Sequence, residues 1–173
     1  MNMIKRMTAL AVVTGAVLAA TPAVAAPVSV TGTKPQAKVT ILKPLVLTKN
    51  SDLNFGIVLM SNVTGATSVS MNQAGVVTCG TGLTCSGTTT VGGYNVKGTN
   101  NQVVTITAPN VTMANQTNTG NSIVVTLSAP GTVTLPNSGN TGYDFTVGGS
   151  FPVDTSTVDG VYAGDMNVTV DYQ

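Results

Sequence analysis

The sequence predicts an all-β domain, a sandwich or a barrel, and three observations carry that expectation. Short β-branched runs recur between clusters of Gly, Pro, Asn and Asp, the rhythm of strands and turns. Beyond the first 25 residues, no segment places apolar residues at i, i+3, i+4 and i+7 over helical length. Only 8% of the residues are charged, against abundant Thr, Val, Asn, Gly and Ser, a composition that suits extracellular β-domains. Its β-branched content is too high for a disordered tail.

The first residues set the compartment. Lys5 and Arg6 precede the apolar stretch TALAVVTGAVLAAT, which is too short and too small-sided to span a membrane. Ala23-Val24-Ala25 then supplies an Ala-x-Ala site. Residues 1–25 are therefore expected to be a signal peptide, cut before Ala26. The chain would pass the inner membrane into the periplasm and go on to the cell surface. Residues 26–173 are one domain's worth, enough to bury a core. They hold five Lys and six Asp, net −1, and no Arg, His, Glu or Trp. No basic face exists to track phosphates, which argues against nucleic-acid binding.

The strands follow in order. KVTILKPLVLT (38–48) is the first long run, with Pro44 marking a kink or an edge. LNFGIVL (53–59) follows the polar turn KNSD. ATSVSMN and GVVTC (66–79) read as a hairpin around Gln73-Ala74-Gly75. GGYNVKG and NQVVTITAP (92–109) form the next pair, joined by TNN. NSIVVTLSAPGTVTLP (121–136) holds two strands around Pro130-Gly131, and YDFTVGGSFPVD (143–154) two short ones. The Thr, Asn and Gly-rich stretches 80–93 and 113–122 read as exposed loops.

Little chemistry is available. Cys79 and Cys85, alone in CGTGLTC and without a histidine in the chain, make a poor zinc site. In an exported protein they are expected to form a disulfide stapling a Gly-rich hairpin tip. The six aspartates are spread along the chain, and no His or Arg could activate a Ser or Thr. No catalytic residue, cofactor or metal is expected. DTSTVDG (154–160) lacks the spacing of an EF-hand calcium loop. Asn-x-Thr triplets at Asn62, Asn110, Asn115 and Asn167 carry no weight from sequence alone, because an Asn- and Thr-rich chain supplies them by chance.

The end of the chain is the informative part. From Tyr162 the side chains alternate, with Tyr162, Gly164, Met166, Val168, Val170 and Tyr172 on one face. Ala163, Asp165, Asn167, Thr169 and Asp171 take the other. Gly160 is fourteenth from the C-terminus and Tyr172 is penultimate. An apolar strand ending a chain leaves an open row of N–H and C=O groups that invites another chain. This pattern resembles the subunits of chaperone–usher pili. Leu53-x-Phe55-Gly56 is similar to a turn of spore-coat-U-type domains and of a related bacterial family known as a domain of unknown function. YNVKG, FTVGGSFPV and GVYAGDMNVTVDY fall in that family's order.

The resemblance implies an immunoglobulin-like sandwich (38–173) that lacks its last strand. A periplasmic chaperone would fill the gap first, and an outer-membrane usher would direct assembly. The N-terminal arm of a neighbouring copy would then replace the chaperone, building a fimbria for cell adhesion by donor-strand exchange. The expected arm is 26–37, APVSVTGTKPQA, with Val28, Val30 and Gly32 as the donor face. A competing frame uses Ala37, Val39 and Ile41. The expected acceptor strand is Gly160, Met166, Val168, Val170 and Tyr172. The alternative is a complete, monomeric β-sandwich, a surface or coat protein that binds carbohydrate.

Overall fold

Alternation of β-branched and aromatic residues with polar ones builds strands that bury one face and wet the other. The computed structural model describes residues 25–136 and 141–173, and the expected signal peptide lies, but for Ala25, outside the described residues. No helix among the described residues is long and apolar enough to cross a membrane. Residues 25–39 fall in a unit of their own, exposed and without a strand. The second unit runs from Thr40 to Gln173.

This unit is a β-sandwich of antiparallel strands. In chain order they are β1 (Val46–Ser51), β2 (Ile57–Met60), β3 (Thr67–Met71), β4 (Val77–Cys79) and β5 (Leu83–Ser86). β6 (Gly92–Lys97), β7 (Val103–Thr107), β8 (Val111–Asn115) and β9 (Ser122–Ser128) follow. The last are β10 (Thr132–Thr134), β11 (Tyr143–Val153), β12 (Tyr162–Ala163) and β13 (Thr169–Tyr172). The largest sheet runs β1-β6-β11-β9-β8-β12, with β3 and β4 attached through β11. A three-stranded sheet, β10-β7-β13, and a ribbon, β2-β5, complete the set.

Two cores lie between these layers. In the first, Tyr94 and Val96 of β6 and Phe145 and Val147 of β11 meet Val104 and Ile106 of β7. Tyr94 and Phe145 stack with centroids 5.5 Å apart. The second gathers Val69 and Met71 of β3, Val125 of β9, Phe151 and Val153 of β11, and Phe55. Phe55 meets Phe151 edge to face, with centroids 5.0 Å apart, a geometry the ring quadrupoles favour. Each fully buried valine contributes about 1.5–3 kcal/mol.

Four local expectations are corrected. Residues 38–45 form no strand, and β1 starts only beyond Pro44, which has no N–H to donate. β6 and β7 do not pair with each other: β6 lies between β1 and β11, and β7 between β10 and β13. The stretch between Tyr143 and Val153 is one eleven-residue strand, not two. Gly148 and Gly149 lie within it because β3 and β9 crowd them from both sides. Finally, parts of the two stretches read as loops belong to β5, β6, β8 and β9.

The disulfide Cys79–Cys85 is formed, although not within a hairpin. Cys79 lies on β4, opposite Val69 of β3, while Cys85 lies on β5, opposite Val58 of β2. It therefore ties the β2-β5 ribbon to the main sheet. Closing so short a loop is worth about 2 kcal/mol by chain entropy. Replacing both cysteines by alanine is expected to cost that amount in urea unfolding.

Candidate functional site

Several strand edges are left open in the second unit. Among the described residues, β13 pairs only with β7, β12 only with β8 and β2 only with β5. β7 and β8 follow one another but lie in different sheets, so β12 edges the main sheet and β13 the three-stranded one. Residues 164–168 between them belong to no strand, and the pairing slips there by one residue, from Tyr162↔Asn115 to Thr169↔Thr107. The expected unbroken last strand is thus two pieces. The alternation survives the break: Met166, Val168, Val170 and Tyr172 are half-buried, and the residues between them are exposed.

Beside β12 lies a groove of about 600 Å³. One wall is Leu53–Met60 and the other is Thr157–Tyr162; Met113, Ile123, Phe151 and Val153 make the floor. The first wall is shaped by the Leu-x-Phe-Gly turn. Asn54 exchanges backbone hydrogen bonds with Thr90 at 2.7 and 2.9 Å, and its Oδ1 accepts from the Gly56 N–H at 2.9 Å. Gly56 takes φ +77°, and a Cβ there would stand 2.5 Å from the Ser86 carbonyl oxygen. The turn drives Phe55 into the second core and starts β2 along the rim.

The opposite wall is pinned by one buried polar side chain. Asn115, 3% exposed, donates from Nδ2 to the Asp159 carbonyl at 2.9 Å. Its Oδ1 accepts from the N–H groups of Thr117 and Asn118, each at 2.9 Å. Gly160 passes over this carboxamide at φ +141°, and a Cβ there would overlap it. The Tyr162 hydroxyl donates to the Val158 carbonyl at 2.6 Å. Asp154 begins the same segment. Its carboxyl is held below the usual carboxylate range by hydrogen bonds from the Ser156 hydroxyl and N–H, helped by Thr157. The turn is therefore firm at neutral pH and loosens as pH falls through that lowered value.

The residues expected from sequence separate into two places. Gly160 lines the groove. Met166, Val168, Val170 and Tyr172 pack instead against the first core. Tyr172 also acts as a latch: its hydroxyl donates to the Lys43 carbonyl and accepts from the Thr99 N–H, both at 2.7 Å. Val28 and Val30 are exposed, and Gly32 takes φ +92°.

The strand expected over 53–59 is there as β2, but sequence reasoning did not single out its residues as part of a site. Ile57 and Leu59 line the groove while 64% and 60% exposed, and Val161 faces them from the other wall at 65%. The signal was present, because GIVLM is apolar at consecutive positions, the mark of a strand covered on both faces. Asp159 is the one charged residue on the groove, and no group of three or more His, Cys, Asp or Glu among the described residues could hold a metal. The surface suits an apolar peptide segment.

Fold and groove together define an all-β sandwich with an open apolar cleft flanked by unpaired strand edges. Residues 45–172 match the family described as "Domain of unknown function (DUF4402)", and the chain belongs to that family. No protein of curated function and no solved structure matches it.

Proposed function

We propose that this protein is an exported structural subunit of a bacterial surface fibre, built by donor-strand exchange between copies. The observation that carries this reading is the groove: it is apolar, and open strand edges run along it. The occupant is the N-terminal arm of a neighbouring copy, with Val28 and Val30 as its apolar face. Residues 25–44 precede the family match, and 25–39 have no strand of their own. An extended segment there would add backbone hydrogen bonds to the open edges and side chains to the cleft. Insertion of one copy into the next is heterologous and does not close, so it propagates as a fibre. A periplasmic chaperone covering the groove before assembly, and an outer-membrane usher, belong to the same reading.

Leu59→Asp is the direct test. Leu59 is exposed in the lone subunit, so the variant should fold and be exported normally, yet form no fibres by electron microscopy. Normal fibres from Leu59→Asp would overturn the assignment.

A further inference from the structure

We propose that Asn167 is the acceptor of an N-linked oligosaccharide, added after export by a transferase whose acceptor cleft carries a cation. The inference depends on export of the chain, and not on fibre assembly. Any Asn-x-Thr triplet offers a carboxamide and a hydroxyl two residues later, and such a site must be exposed to be used. The structure separates the four triplets. Asn115 is buried, and both polar atoms of its side chain are bound within the fold. Asn62, Asn110 and Asn167 are exposed.

Of these three, only Asn167 has an acid two residues before it: Asp165 stands there, against Met60 before Asn62 and Ala108 before Asn110. Extended backbone puts i−2, i and i+2 on one face. Asp165, Asn167 and Thr169 are all exposed on the face turned from the core. A carboxylate, a carboxamide and a hydroxyl therefore line up in one accessible row. The carboxylate would make a charge-assisted contact to the cleft, of the stronger kind of hydrogen bond. Residues 164–168 belong to no strand, so the backbone of Asn167 can enter a cleft without breaking a ladder. Met166 and Val168, its neighbours, turn the other way, toward the first core, which directs a glycan outward.

The donor is an oligosaccharide linked to a polyprenyl pyrophosphate. Nδ2 of Asn167 forms a bond to the anomeric carbon, and the bond from that carbon to the pyrophosphate oxygen breaks. Polyprenyl pyrophosphate leaves with the electron pair, and the amide gives one proton to the transferase base.

The test is the intact mass of the protein purified from its native host, followed by mapping of the modified peptide. The expected result is a chain beginning at Ala26 with one oligosaccharide on Asn167. The added mass should vanish in Asn167→Gln and Asp165→Asn, return in Asp165→Glu, and persist in Asn62→Gln and Asn110→Gln. An exported chain without added mass, or one whose added mass survives Asn167→Gln, overturns the proposal. Retention of residues 1–25 overturns it through failed export, which the same spectrum distinguishes.

Discussion

Residues 26–33 joined to the C-terminus through a flexible linker are expected to raise the melting temperature of residues 34–173 by roughly 10–20 °C. The linker holds the segment at an effective concentration in the millimolar range. The gain comes from covering side chains that the chain alone leaves wet, chiefly Ile57 and Leu59. Each is worth about 1.5–3 kcal/mol when buried. The untethered chain should aggregate, because its apolar cleft and open edges lie uncovered, while the tethered one should run as a monomer in size exclusion. Identical melting of two monomers would mean that the sandwich needs no added strand, and would favour a complete monomeric surface protein.

Gly160→Ala should destabilise the protein by about 2–4 kcal/mol. Glycine alone tolerates φ +141° there, and a strained non-glycine backbone costs about 1–3 kcal/mol. The new methyl also displaces the Asn115 carboxamide, exposing the Asp159 carbonyl and the Thr117 and Asn118 N–H groups to loss of their partner. A buried group left unpaired costs about 1–3 kcal/mol. In an Asn115→Ala background the overlap disappears, so the penalty of Gly160→Ala should shrink, a non-additive pair of the kind expected for touching residues. Denaturant unfolding of the four chains decides it. A Gly160→Ala cost below about 0.5 kcal/mol, typical of neutral surface changes, would show that the wall is not held as described.

The sequence revealed the all-β class because alternation and turn residues are local signals, and Gly160, Phe55 and Gly56 announced themselves by position. The disulfide was legible too, since two cysteines in a chain without histidine, expected to be exported, have few other roles. Pairing across the sandwich was not legible. TNN between the β6 and β7 runs looks like a hairpin turn, yet the chain crosses there from one sheet to the other. Gly148-Gly149 reads as a turn for the same reason: backbone freedom and lack of bulk look alike in sequence. Which open edge takes a partner, that of β13 or that of β2, was not legible, because half-burial in its own core and exposure to a partner follow the same alternation. Only neighbours in space separate Val170 from Ile57.

The latch at Tyr172 has a mechanical consequence. Its hydroxyl joins the last strand to Lys43, where the domain begins. In the proposed fibre under tension, load reaching β13 through its partner β7 would pass through Tyr172 into the chain just ahead of β1. The pull would run along the strands and be resisted in shear by many hydrogen bonds at once, rather than peeling the two layers apart one bond at a time.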